Sequence, residues 1–450
     1  MRNILIVCNN EFLNLLYVMN LEVYLGASTT LVLGVAGAIE SLSSKKKFDL
    51  ILTVSMANKD NTAKEIEAYL KSYGKKIPMI IVGHTKDEVI NEYIIAINAK
   101  FQIQIILRHC AKLLAITAKQ MAELDVGSYY PISLSTLLGF TKAPCQLFSK
   151  VGEVYQSLAK EGDLIENLLI ELNNKVVRKL HVKSSDRLII VNIISLTIVE
   201  KIKKSLEDLE GSSVEKKINV LSSGFEFASA NIFSSDEIKK EMQEIASSAS
   251  LVMVAVAKEN ASLKSLMAIL MENKDGYIFT HSMIASYVAY HMIKNVAWGG
   301  ETQAEKINFV LFFHDIFLAP IYLKHPELRG ESTLLNNIKL DEKENDIVLN
   351  HARLAAELVV TYKRCPIGAD VLIKQHHGMK KGKGFVRAYV EDLSPISKVI
   401  LVAEMYVEEF LKANEEKKEF NPKTLIPKLV TLFKSPSYTK LVQSLIHVPL

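Results

Sequence analysis

Seven side chains in the last 170 residues have the types and order expected of a metal site: His281, the adjacent His314 and Asp315, His351, the adjacent His376 and His377, and Glu404. Imidazole nitrogen and carboxylate oxygen suit divalent iron, manganese or zinc, and an adjacent His-Asp pair lets one carboxylate bridge two ions while its neighbour fixes one of them. Paired metals are a device for hydrolysing phosphate esters. Eight of the eleven histidines fall after residue 280, so they are concentrated here. Any one of them has an ordinary reading as a satisfied core or surface residue. The inference rests on the set.

Those residues need elements that bring them together. Beyond Asp275 the chain reads as helix in YIFTHSMIASYVAYHMIKNV, EKINFVLFFHDIFL, KENDIVLNHARLAAELVVTYK, GADVLIKQHH and SPISKVILVAEMYVEEFLKA, with apolar residues recurring at three and four. Such helices bundle around a common core, and histidines on separate helices then converge.

At 450 residues the chain exceeds one hydrophobic core, and roughly 150 residues per domain suggests about three. The formal charge of +4, with lysine and acid interleaved, offers no polybasic arm for duplex DNA or an anionic membrane. The start, MRNILIVCNNEF, has too short an apolar stretch for a secretory signal core. No run reaches the ~18 uninterrupted apolar residues of a membrane span. The longest, Leu188 to Val199, contains Asn192 and Ser195. A cytoplasmic protein without a membrane span is expected. Cys8, Cys110, Cys145 and Cys365 lie far apart, without the spacing of a zinc knuckle or a disulfide framework.

Residues 1–125 alternate strand-length apolar runs (NILIVC, TTLVLG, DLILTVSM, PMIIVGH, QIQIILR) with helical stretches such as VAGAIESLSS and NTAKEIEAYLKSYG, which implies a parallel sheet covered by helices. The order and size resemble the receiver domain of bacterial response regulators, a flavodoxin-like α/β fold. A working receiver needs acids after its first strand and at the end of its third, because Mg²⁺ and an aspartyl phosphate require carboxylates. Here those places hold Asn9, Asn10 and the Thr53-Val54-Ser55 stretch, so the segment is read as a pseudo-receiver that contacts protein partners.

Residues 126–235, punctuated by Pro131, Gly139, Pro144, Gly152 and Gly162, look like a small mixed α/β module of short strands. They are similar to accessory domains upstream of bacterial cyclic-dinucleotide enzymes. Residues 236–270 read as a linker helix, with Ser235 and Asp236 as N-caps, either a simple connector or a helix that pairs with its twin in a homodimer.

Residues 271–450 resemble the HD-GYP family, a branch of the HD phosphohydrolases whose members hydrolyse cyclic di-GMP. YIFTHSMIA supplies His281, FFHDIF the signature His314-Asp315, LNHARLAAEL His351, and KQHH His376 and His377. HHGMKKGKGF matches the family's H-H-E-x-x-D-G-x-G-Y-P in length, with Gly382 and Gly384 at its glycines, and PISKVILVAEMY puts Glu404 at the last metal-binding Asp. The resemblance implies an all-α HD-type bundle that holds two divalent ions, iron or manganese with zinc as a further choice. It also implies a bridging role for Asp315, with His314 beside it, and a metal-activated hydroxide that cuts cyclic di-GMP, or a related cyclic dinucleotide, to pGpG and GMP.

The departures from the family pattern are chemical. Tyr277 stands where three-metal members carry Glu, which favours two metals. Leu318, preceded by Phe317, replaces the phosphate-holding lysine of H-D-I-G-K; Gly378, Lys381, Phe385 and Val386 replace the Glu, Asp, Tyr and Pro of the GYP loop; and Lys398 replaces a ligand-clamping arginine. Lys380, Lys381, Lys383 and Lys398 are therefore the candidate phosphate contacts. The alternative to an enzyme is a weak or inactive HD-GYP-like effector that binds metal or cyclic dinucleotide and signals through protein contacts.

Overall fold

The computed structural model describes residues 2–450 apart from 58–59, 85, 99, 123–127, 139, 233–235, 274–275, 336, 386–392 and 434. Gly139, Ser235 and Val386, given roles above, lie outside the described residues. The chain divides into two compact units, Met1–Lys201 and Ile202–Leu450.

The first unit opens with strands β1 (Asn3–Val7), β2 (Ser28–Val32), β3 (Leu50–Val54), β4 (Met79–Val82), β5 (Glu88–Val89) and β6 (Ile94–Ile97). They form one sheet in the order β2-β1-β3-β4-β6-β5, with β5 antiparallel at the edge and the rest parallel. Ile4–Val7, Leu50–Leu52 and Met79–Val82 are almost wholly buried, as strands covered on both faces must be. Helices α1 (Glu11–Leu25), α2 (Val35–Ser43), α3 (Thr62–Ser72) and α4 (Ile103–Leu113) alternate with them. The order 2-1-3-4 followed by a fifth parallel strand is a doubly wound, flavodoxin-like arrangement.

One expectation fails here. QIQIILR forms the start of α4, and the fifth parallel strand is IIAI at Ile94–Ile97. In α4 the buried residues are Ile106, Leu107, Cys110 and Ala111, a helical stripe that a short apolar run cannot be told from by composition.

The polar residues at the receiver-like positions are used locally. The Asn10 side chain caps α1 by accepting from the Phe12 and Leu13 amides. The buried Thr53 hydroxyl donates to Val54 O, and the Ser55 hydroxyl to Gly83 O at 2.7 Å.

Helices α5 (Ala118–Ala122) and α6 (Leu134–Leu137) flank a second sheet of β7 (Tyr129–Ser133), β8 (Leu147–Val151), β9 (Val154–Ala159) and β10 (Lys179–Lys183), with α7 (Glu166–Asn174) between the last two. It is antiparallel in the order β7-β10-β8-β9. The Tyr129 and Tyr155 rings stack at 4.0 Å although their strands lie at opposite edges, so they roof one face of this sheet over Phe148 and His181. Buried Glu22 of α1 ties the two sheets together, since Tyr130 donates to its carbonyl and Ser133 and Thr29 to its carboxylate. The longest apolar run, Leu188–Val199, lies inside helix α8 (Arg187–Glu207) rather than in a strand.

The second unit is helical: α9 (Val214–Ala230), α10 (Asp236–Glu259), α11 (Leu263–Asn273), α12 (Tyr277–Ile293), α13 (Glu301–Phe313), α14 (Ala319–Lys324), α15 (Glu331–Leu334), α16 (Glu342–Val360), α17 (Ala369–Gln375), α18 (Pro395–Glu415), α19 (Pro422–Leu432) and α20 (Pro436–Ser444). The segment 236–270, expected as a linker, is two helices. Of these α10 packs against α9, α12 and α13. Met242, Ile245, Ala246, Ala249, Met253 and Val256 are buried along it, so this apolar stripe packs inside its own chain.

The stretch Glu301–Lys324 has the length and apolar composition to cross a bilayer, which counting uninterrupted runs did not reveal; 78% of its most apolar window is buried inside the protein, as in a core helix.

Candidate metal centre

Five helices deliver the seven candidate ligands. His281 lies one turn into α12, His314 caps the C-terminus of α13 and Asp315 follows it, His351 is mid-way along α16, His376 caps α17 and precedes His377, and Glu404 is mid-way along α18. The sequence places histidines at the ends of α13 and α17, where the backbone turns away and leaves the side chain pointing into the bundle. All seven are at most 9% exposed.

They converge in two groups. Asp315, His351, His376 and His377 offer ligand atoms within 4.8 Å of one another, and so do His281, His314 and Asp315. Asp315 belongs to both, the position of a bridging carboxylate. Its Oδ1 lies 3.3 Å from His351 Nε2 and 3.4 Å from His376 Nε2, and its Oδ2 lies 3.5 Å from His314 Nε2. Glu404 stands beside the second group: Oε2 is 2.5 Å from His281 Nε2 and Oε1 is 3.5 Å from His314 Nε2.

Local geometry sets the tautomers. The Nδ1 atoms of His314, His351 and His376 each donate to the carbonyl three residues back, Leu311 at 2.9 Å, Val348 at 2.6 Å and Ile373 at 2.6 Å. In the neutral tautomer this leaves each Nε2 lone pair aimed inward, the arrangement that second-sphere bonds impose on metal-binding imidazoles. Buried His314 Nε2, Asp315 Oδ1 and Glu404 Oε1 have no hydrogen-bond partner among the described residues. Buried acceptors left facing one another are costly unless a cation lies between them.

The electrostatics agree. Burial pushes the Asp315 carboxyl up, but His314 and the close approach of the His351 and His376 rings outweigh it and hold the group well below the carboxylate range. Burial likewise opposes the ionised form of Glu404, and His281 and His314 overcome it, bringing the group to about 2. Burial pulls His314 down, and burial with His376 and His351 pulls His377 well down. Two carboxylates stay charged and the depressed imidazoles stay neutral. This donor set fits divalent cations: Asp315 would be shared, His351, His376 and His377 would hold one ion, and His281 and His314 the other with Glu404 alongside.

The candidate phosphate contacts divide. Lys380, Lys381 and Lys383 are exposed on the loop after His377. Lys398 is buried, its ammonium bonded to Ser437 Oγ at 2.9 Å and set over the Tyr438 ring. Leu318 is packed in the apolar interior, 1% exposed, in the turn Ile316–Leu318 after Asp315.

Three contacts around the centre were not legible beforehand. Phe385 lays its ring 4.3 Å from that of His377 and 5.8 Å from that of His351. Tyr277 stacks beside His281 at 6.0 Å. Ser397 donates to Gln375 Oε1 at 2.6 Å, fastening the end of α17, and with it His376, to α18. Phe385 and Tyr277 were singled out by their motif positions, but Ser397 gave no advance signal.

No family model matches the chain, and no curated protein matches it. Among solved structures it is similar to Bd1817, an HDG"Y"P protein from Bdellovibrio bacteriovorus, at 15% identity and a TM-score of 0.36, over 70% of this chain and 98% of that one. The second unit is a helical body with a buried His/Asp cluster able to hold metal.

Proposed function

We propose that the chain is a metal-dependent phosphohydrolase of the HD-GYP type, a phosphodiesterase that hydrolyses cyclic di-GMP or a related cyclic dinucleotide to pGpG and GMP. The observation that carries this reading is Asp315, buried and common to both groups of inward-facing ligands. Two divalent ions held there, iron or manganese by the resemblance, would supply Lewis acidity toward water and phosphoryl oxygen.

The chain's own residues do the rest. Asp315 and Glu404 provide the fixed negative charge that keeps cations in place. The Nδ1–H bonds of His314, His351 and His376 hold three imidazoles in one rotamer and tautomer, so little reorganisation remains when a substrate arrives. Lys380, Lys381 and Lys383 are exposed on the loop after His377 and offer positive charge to phosphate oxygens. The apolar surroundings of Leu318 and Phe317 limit water around the site.

The first unit, read as a pseudo-receiver with an accessory module, would connect this centre to protein partners, and we place the protein in the cytoplasm. A homodimer stays within this proposal.

One observation favours the second reading, an effector that keeps metal but turns over poorly: Lys398, expected to contact ligand, is committed to Ser437 and Tyr438. Metal analysis of chelator-free protein together with cyclic di-GMP turnover in Mn²⁺ and Fe²⁺ separates the two. Two equivalents of metal with formation of pGpG are expected. Two equivalents without turnover supports the effector, and absence of metal defeats the hydrolase.

A further inference from the structure

The loop after His377 is joined to helix α16 in an unusual way. Within α16 the carbonyl of Leu349 is the ordinary helical acceptor for the amide of Arg353, four residues on. Both groups also bond the loop: the Arg353 amide donates to Gly382 O at 3.1 Å, and Leu349 O accepts from the Gly384 amide at 2.7 Å. The loop backbone thus sits across one turn of the helix, and His351 is at the centre of that turn. Phe385, the next residue, packs its ring on His351 and His377.

Gly382 is what permits the approach. Its φ is +65°, and a Cβ there would meet Lys374 Cγ at 3.0 Å, Lys374 Cα at 3.1 Å and the Arg353 amide nitrogen at 3.2 Å. Two of the three are backbone atoms that cannot swing aside. Gly384 has a similar φ of +72°, yet a Cβ there meets nothing within 4 Å. The two glycines therefore separate steric approach from backbone strain.

We propose that Gly382 is a positioning residue: it seats the 378–385 loop on the Leu349–Arg353 turn of α16, and that seating fixes His351 for the Asp315, His376 and His377 half of the metal centre. The inference rests on the metal reading above and adds a mechanical link from the lysine-bearing loop to one ligand. Partners that orient a ligand, once removed, typically lower metal affinity 10–100-fold.

The test titrates Mn²⁺ into chelator-stripped full-length protein and follows amide hydrogen exchange. Wild type should take two equivalents. Gly382→Ala should keep the equivalent held by His281 and His314 and weaken the other by about tenfold or more. Exchange at the Arg353 amide should rise in that variant with or without Mn²⁺, and both readouts should move further than in Gly384→Ala, which carries the positive-φ strain without the clash. Coupling between sites is reciprocal, so in wild type Mn²⁺ should slow exchange at Arg353, and at Gly384 on the loop, more than at the other amides of α16. This last measurement needs no variant, and so stands if Gly382→Ala fails to fold. Folded Gly382→Ala binding two equivalents with unchanged affinity overturns the proposal, as does Mn²⁺ binding that leaves those two amides unaffected. If wild type binds no Mn²⁺, the metal reading itself has failed, whereas a loss confined to one equivalent in Gly382→Ala upholds both.

Discussion

The Nε2 atoms of His351 and His377 lie 2.8 Å apart deep in the helical unit, and Val348 O accepts the Nδ1–H of His351, so its Nε2 lone pair is directed at its neighbour. At that spacing His377 Nε2–H can donate to His351, and with both nitrogens deprotonated the pair can instead hold a cation. Asp315 completes the arrangement from the other side, and its removal is the most direct test: Asp315→Ala should take the bound metal from two equivalents to less than one, read by elemental analysis after desalting. A full complement in the variant would show that the ligands have been misassigned.

Removing the charge of Glu404 while keeping its shape should act on one half only. In Glu404→Gln the carboxylate that faces His281 and His314 is gone, whereas Asp315, His351, His376 and His377 are untouched. One equivalent should remain at near wild-type affinity and the second should weaken by about tenfold or more. Loss of both equivalents in a folded variant would mean that Glu404 supports the whole centre rather than one side.

Acid should destabilise the metal-stripped protein before its carboxylates titrate. His314 and His377 are held below their ordinary value of 6.5, so below that pH the unfolded chain binds protons that the folded chain refuses. The folded state binding fewer protons, stability falls as pH drops through 6.5. Glu404 and Asp315 have depressed values, so their contribution is present above their ordinary 4.5 and 3.8 and is lost only at lower pH. Thermal midpoints of metal-free protein should therefore decline between pH 6.5 and 5, and His377→Leu should flatten that slope. A midpoint independent of pH over this window would contradict the neutral, buried state of the two histidines.

Much of the second unit is legible in the sequence because its signals are local. A three-and-four apolar period marks the helices, and the histidine and carboxylate types survive wherever the chain carries them. What failed had long-range causes. QIQIILR and Ile94–Ile97 are both short apolar runs, and which becomes the strand depends on which one can pair with β4. The packing of α10 on α9, α12 and α13 is likewise a long-range fact that its own periodicity does not announce. Lys398 is read as a phosphate clamp from its place in a motif, and its bond to Ser437, 39 residues away, is a contact the motif could not announce.

That ammonium gives a prediction separating structure from binding. Lys398→Ala removes a bond to Ser437 and the cation over Tyr438 from a buried setting, which should cost about 1–3 kcal/mol of stability. Metal content should not change, since Lys398 touches none of the ligand atoms among the contacts described. Denaturant unfolding and metal analysis on one preparation check both parts, and loss of metal from the folded variant would place Lys398 in the centre.

The first unit should be silent to phosphodonors. Phosphotransfer to a receiver needs a carboxylate at the end of its third strand and acids after its first to hold Mg²⁺. In this chain the third strand ends at Val54, Thr53 is buried with its hydroxyl spent on Val54 O, and the Ser55 hydroxyl is spent on Gly83 O. After β1 the side chain of Asn10 is occupied as the cap of α1. Incubation with acetyl phosphate and Mg²⁺ followed by intact-mass measurement should show no adduct of one phosphoryl group. A hydroxylamine-sensitive adduct mapping to residues 1–125 would establish an aspartyl phosphate and return this unit to the working receivers.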